Sequence, residues 1–230
     1  MNDLWQNLAV AVVSRIEFER RCNRSRLLDE SAVVRFAAEY LQAQWNGEIR
    51  VAEPHPDLAG KFVDLVGTKP KAEKFGLVLE GKWLKDDGGD REWLKEIAVD
   101  LFRLQHLKTK MAQGSERILL VAGTRGMTLD HLLRRKVHSD LGHSIRALPH
   151  ILPERANDTL TKFEIRKADV NARRWLRKCH ERLGFDLPST YTARLAGHYR
   201  SWLGREGCEI FVWLTKRPQG WGSFDPSAEW

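Results

Sequence analysis

Two short apolar runs with charges set inside them constrain this chain most. The first is Phe62-Val-Asp-Leu-Val-Gly67 and the second is Gly76-Leu-Val-Leu-Glu-Gly-Lys-Trp83. Both are rich in Val and Leu, each with an aromatic residue, and the polar segment Thr68-Lys-Pro-Lys-Ala-Glu-Lys74 separates them, so both read as strands. Strand side chains alternate faces, so Glu80 and Lys82 point the same way, while Leu79 and Gly81 point the other. If the runs pair as a hairpin, Asp64 falls almost opposite Glu80. Two carboxylates and an ammonium then share one face of a small sheet. Charges inside apolar strands are costly unless paired or metal-bound. That cost marks the trio as a candidate site. The same residues also fit a solvated face of an antiparallel sheet, although Val66 and Val78 share their faces.

The chemistry open to such a trio is narrow. Two hard carboxylates suit Mg²⁺ or Mn²⁺, which keep waters for a substrate. A divalent ion polarises a phosphate and lowers the pKa of its bound water, and a nearby lysine stabilises developing negative charge. This is equipment for phosphodiester hydrolysis.

Asp64 followed by Glu80-Gly81-Lys82 on the next strand resembles the D…(D/E)-x-K signature of the PD-(D/E)XK nuclease superfamily. The resemblance implies a restriction-endonuclease-like core, ordered helix, three-stranded sheet, helix, strand, over roughly residues 29–125. It also implies Asp64 and Glu80 as catalytic metal ligands, the Gly81 carbonyl as a third ligand, and Lys82 as the catalytic lysine. Val63, not proline, precedes Asp64. A literal Pro56-Asp57 lies upstream, but Asp64 is preferred because it sits in the strand that pairs with Glu80. Many family members place a glutamate on the helix before the first strand. Glu39 and Glu30 are the candidates here, and Glu39 is preferred because it borders the apolar stripe. A Glu30 carboxylate also simply favours the helix dipole.

The remaining chain reads as alternating helices and strands. Residues 3–20 have Leu4, Leu8, Val12 and Ile16 near helical spacing. A basic connection, Arg20 to Arg26, could touch phosphate or simply be solvated. A second helix starts at Asp29 or Ser31 and runs to Gln44. Glu48 to Ala52 reads as the first strand. The polar loop Lys85 to Asp90 lacks the spacing of a calcium-binding EF-hand. A long helix is expected over 91–112, with Arg103 and Gln105 as candidates for site support or DNA contact. Arg117 to Ala122 reads as a strand buried on both faces. Leu129 to Val137 reads as a short basic helix. His131, His138 and His143 match no zinc spacing. Residues 149–160 read as a boundary. A helix over 169–183 carries Arg173, Arg174, Arg177 and Lys178 around Trp175, which fits either a phosphate-and-stacking surface or a helix with one buried Trp. Two strands close the chain, 190–199 and 209–215.

Charge is unevenly spread. Residues 1–100 hold 15 Lys/Arg against 18 Asp/Glu, whereas residues 101–230 hold 23 against 13. A basic half attracts a polyanion through counterion release. No apolar run approaches the ~18 residues that span a membrane, and the first residues do not resemble a secretory leader. Three widely spaced cysteines argue against a disulfide framework and for a reducing, cytoplasmic compartment.

The expectation is an α/β protein with a nuclease-like core over 1–148 and a basic, Trp-rich α/β C-terminal extension over 149–230, packed on the core. Its expected activity is Mg²⁺-dependent hydrolysis of DNA. The alternatives are a DNA-binding protein or a partner-dependent regulatory subunit on a degenerate nuclease fold. DNA is the expected partner, and a homodimer or partner protein could use the C-terminal region.

Overall fold

A computed structural model of the chain describes residues 4–70, 74–85, 93–108, 112–134, 136–138, 141–155, 159–204, 206–217 and 222–230. The main helices are α1 (Leu4–Arg21), α2 (Glu30–Gln44), α3 (Trp93–Gln105) and α4 (Val170–Leu183). The strands of the main sheet are β1 (Ile49–Pro54), β2 (Phe62–Thr68), β3 (Phe75–Leu84), β4 (Glu116–Thr124), β5 (Thr161–Phe163), β6 (Tyr191–Arg200) and β7 (Cys208–Lys216). They form a seven-stranded sheet in the order β1-β2-β3-β4-β7-β6-β5. β3 and β4 run parallel, and every other neighbouring pair is antiparallel. The fold is therefore mixed α/β. A parallel pair needs a crossover, and α3 supplies it.

Local chemistry accounts for the element ends. Asp29 caps α2 by accepting a hydrogen bond from the Ala32 backbone N–H at 2.7 Å, which satisfies one of the orphan donors of the first turn. Asp169 caps α4 in the same way, through the Asn171 N–H at 2.7 Å, and Gly184 ends it in a left-handed conformation. The Trp45 indole donates to the Thr68 carbonyl at 2.8 Å and ties the end of α2 to the end of β2.

The two-residue period of the strands sorts side chains into two cores. Leu65, Leu77, Leu79, Ile118, Leu120, Ile210 and Val212 pack with α1 and α2. Val66, Val78, Leu119, Val121, Phe211 and Trp213 pack with α3 and α4. β3 lies between β2 and β4, covered on both faces, so all ten of its residues are buried, Glu80 and Lys82 included. Close approach of helices to the sheet depends on two glycines. A Cβ on Gly81 would stand 2.7 Å from Cγ2 of Val34 on α2, and one on Gly197 would strike the Trp5 carbonyl of α1.

Several expectations are revised. Beyond 149, where an extension packed on the core is expected, β7 pairs with β4 from Cys208 to Thr215, and β5, β6 and β7 continue the same sheet. α3 stops at Gln105 rather than 112. The Arg117 guanidinium takes the Gln105 and Leu107 carbonyls at 3.3 and 2.7 Å, and Arg217 takes Gln105 at 3.0 Å. Cations at helix C-termini satisfy such carbonyls and favour the dipole. The short basic helix expected over 129–137 is a π-helical turn over Thr128–Leu133, and Lys136–His138 instead pairs with Ser144–Arg146. So short a helix has little stability of its own. The loop Asp86–Asp90 and the boundary residues Asn157-Asp158 lie outside the described residues. No helix among the described residues is long and apolar enough to cross a membrane.

Candidate functional site

The register of β2 and β3 builds the site. Leu65 pairs with Leu79, which sets Asp64 beside Glu80. Asp64 Oδ2 accepts the Gly81 backbone N–H at 2.8 Å, which fixes that carboxylate against β3. Glu80 points to the α3 side and is 1% exposed. There Arg103 grips it with both arms of its guanidinium: Nε donates to Oε1 at 3.1 Å and Nη2 to Oε2 at 2.8 Å. Such a fork-on-carboxylate pair is among the strongest charge-assisted arrangements.

Lys82 lies two residues further along the same face. Its Nζ sits 2.7 Å from Glu30 Oε2 and 2.9 Å from Asp100 Oδ2. Asp100 in turn lies 3.0 Å from Arg103 Nη2, one helical turn away on α3. Glu30 reaches in from the first turn of α2, where Asp29 has capped the helix. Three layers thus deliver one cluster: Glu30 from α2, Asp64, Glu80 and Lys82 from the sheet, and Asp100 and Arg103 from α3.

The electrostatics follow from burial and charge count. Burial pushes the Glu80 carboxyl well above its ordinary range, the neighbouring Asp64 charge adds to the push, and Arg103 opposes it. Burial likewise raises Asp100, with Lys82 and Arg103 offsetting part of the shift. Glu30 is raised by burial against the pull of Lys82. For Lys82, burial favours the neutral amine, but Asp100 and Glu30 outweigh it and the net shift is upward. The ammonium is therefore held charged. Four carboxylates face two cations, which leaves a charge of −2 when all are ionised.

The sequence-derived candidates divide as follows. Asp64, Glu80 and Lys82 come together, and Gly81 sits between them with its bare face toward Val34 of α2. Glu39 is exposed on α2 and does not enter the cluster, whereas Glu30 does. Asp57 accepts the Lys108 N–H at 2.7 Å and serves the end of the α3 region instead. Arg103, expected at a nucleic-acid surface, is turned inward onto Glu80 and Asp100. Sequence reading missed Asp100, although its spacing offered a signal: it follows Ile97 by three residues, on the buried stripe that includes Leu101 and Leu104. On α4, Trp175 belongs to the core and is no stacking surface. Arg173 donates to the Ala168 carbonyl at 3.1 Å, Arg174 and Lys178 are exposed, and Arg177 is half-buried. Gln105 is buried and donates to Thr215 Oγ1 at 2.7 Å.

A smaller polar network lies along the same sheet face. Glu209 accepts from Thr128 Oγ1 at 2.6 Å and pairs with His198 Nε2 at 2.8 Å, while the His198 ring stacks on Phe211 with centroids 4.5 Å apart. Burial opposes the Glu209 charge, but these two partners outweigh it and hold its carboxyl below the ordinary range.

The main cluster offers carboxylate oxygens, with Asp64 beside Glu80 and a charge of −2 when all of its groups are ionised. Its present arrangement is closed, because both Glu80 oxygens are taken by Arg103. Among the described residues no group of three or more His, Cys, Asp or Glu side chains is placed to hold a metal ion. Comparison of the chain with family models, curated proteins and solved structures returns no match. The functional argument therefore rests on the cluster itself.

Proposed function

We propose that this chain is a metal-dependent nuclease that hydrolyses DNA phosphodiester bonds, built on a restriction-endonuclease-like core. The order α2-β1-β2-β3-α3-β4, with β3 and β4 parallel, supports that core. One observation carries the functional reading: Asp64, Glu80 and Lys82 converge from two neighbouring strands inside a cluster with excess negative charge. Stability alone is a weak reason for such a cluster. Buried ion pairs are often no more stabilising than apolar residues of the same volume.

Asp64 and Glu80 would hold Mg²⁺ or Mn²⁺. When bound, such an ion supplies Lewis acidity and a water of lowered pKa. The chain's own residues supply the rest. Lys82 is kept cationic and aimed by Glu30 and Asp100, so it presents fixed positive charge to an anionic phosphate. Arg103 must release Glu80 before the Glu80 oxygens become free, so Arg103 and a divalent ion compete for one carboxylate.

That same clamp favours a second reading, a DNA-binding or partner-dependent protein on a degenerate nuclease fold, in which the ion pairs are permanent. Cleavage of plasmid and linear DNA with Mg²⁺ or Mn²⁺ separates the two. The nuclease reading expects cleavage by the wild type and a loss of ~10²-fold or more in Asp64→Ala and Lys82→Ala, with DNA binding by Lys82→Ala largely retained. Full activity in either variant would remove that residue from the chemistry. Salt-sensitive DNA binding without cleavage by the wild type would favour the second reading.

A further inference from the structure

The rim of the sheet near the cluster carries a second surface. Leu84 at the end of β3 is level with Gly123 of β4, Glu209 of β7 and Arg200 of β6. Lys82 and the turn that follows Arg200 therefore share one rim, separated across the sheet by three strand spacings, roughly 14 Å. On that turn Trp202 is 80% exposed, the highest value among the exposed large hydrophobic residues of the described chain segments. Full exposure of an indole to water gives up the burial that normally stabilises it.

The turn under Trp202 is anchored on several sides. The Ser201 N–H donates to the Cys208 carbonyl at 2.8 Å, and the Arg125 N–H donates to the Gly207 carbonyl at 2.7 Å. From α1, Glu17 Oε1 accepts the Cys208 N–H at 2.8 Å, and the Arg20 guanidinium donates to the Glu206 carbonyl. The indole thus stands on a braced support, beside the end of α1.

That end of α1 is basic. Arg20, Arg21, Arg24 and Arg26 fall within seven residues, and of them Arg20 pairs with Glu17 at 3.6 Å and Arg24 with Glu19 at 2.6 Å. Arg21, Arg24 and Arg26 are exposed, as is Arg200 next to Trp202. Arg26 precedes Glu30 of the cluster by four residues, which limits their Cα separation to roughly 14 Å. The rim therefore runs from the charged cluster past a row of arginines to an exposed indole.

We propose that this rim is a track for single-stranded DNA, with arginines on the phosphates and Trp202 stacked on an unpaired base a few nucleotides from the cluster. Exposed Arg21, Arg26 and Arg200, with Arg24 beside them on its Glu19 partner, call for a polyanion. An exposed indole calls for an open π-face, which an unpaired base offers and a base inside a duplex does not. The inference rests on the nucleic-acid reading of the site and names its substrate as a single strand or a strand with an unpaired end.

The test uses the full chain, free of divalent ions, with a labelled oligothymidylate and a duplex of equal length followed by fluorescence polarisation. Trp202→Ala is expected to weaken single-strand binding by roughly tenfold or more, to leave duplex binding within about twofold, and to leave Tm unchanged. Trp202→Phe is expected to restore most of the loss. Arg21→Ala and Arg26→Ala are expected to weaken both substrates and lower the salt slope. Single-strand binding unaltered in Trp202→Ala, or lost equally for both substrates, overturns the track. A change of oligomeric state with unaltered DNA binding overturns it in favour of a protein contact. The cleavage assay is separate: Trp202-dependent binding with no metal-dependent cleavage sinks the nuclease reading and keeps the track, and the reverse result does the opposite.

Discussion

Removing Arg103 tests the electrostatic account of the cluster directly. Arg103→Met keeps an apolar stem in place and deletes the fork on Glu80, at 3.1 and 2.8 Å, together with the contact to Asp100 at 3.0 Å. Glu80 is shielded from water in this closed arrangement, being 1% exposed. Breaking a buried ion pair costs about 3–5 kcal/mol, which for a chain of this size lowers Tm by roughly 6–20 °C. The loss has a pH signature. The folded Glu80 carboxyl already holds its proton to higher pH than the unfolded one, and Arg103 opposes that shift. A raised carboxyl pKa means that stability falls as pH rises from the unfolded value toward the folded one. Without Arg103 the folded value climbs further and the fall extends to higher pH. The deficit of Arg103→Met against wild type is therefore smallest near about pH 5 and largest near about pH 8. Thermal unfolding followed across that range measures it. The double variant Glu80→Gln/Arg103→Met removes the stranded charge and should recover about half or more of the lost stability, a coupling that a double-mutant cycle isolates. A deficit independent of pH, or a double variant no more stable than Arg103→Met, would refute the reasoning.

Two other perturbations read different parts of the fold. Gly81→Ala places a Cβ 2.7 Å from Val34 Cγ2, so it should cost about 1–3 kcal/mol through overpacking; Val34→Ala in the same chain should recover part of it, with chemical denaturation as the measurement. The His106 ring lies tilted against Phe185 with centroids 4.3 Å apart, and burial, with nearby Lys108, lowers its pKa from 6.5 to about 4. In that window the unfolded chain binds a proton that the folded chain does not, so His106 makes stability fall as pH drops from 6.5 to about 4. His106→Gln should flatten that fall, and an unchanged slope would count against a neutral His106.

Much of this architecture was open to reading in the chain itself. Strands are set by local apolar runs of two-residue period, and the runs holding Asp64, Glu80 and Lys82 became β2 and β3 because turn chemistry and periodicity act over a few residues. The register that puts Asp64 beside Glu80 followed from the hairpin, and the cap at Asp29 from the preference of a short carboxylate for a helix start. The Trp residues were not legible in the same way. Trp175 and Trp213 entered the core while Trp202 stayed in solvent, and composition treats all three alike.

What tertiary structure decided were the contacts between residues far apart in sequence. Glu30 rather than Glu39 reached Lys82, because Val34 of α2 packs over bare Gly81 of β3, which brings the first turn of the helix to the site. Asp100 and Arg103 became partners of Lys82 and Glu80 because α3 crosses over the face from which those side chains project. β7 joined β4 and drew the last third of the chain into one sheet, since an open strand edge beside β4 is satisfied by whichever distant strand fits it. Periodicity assigns a residue to a face, but only packing of one element on another selects which charges on those faces meet.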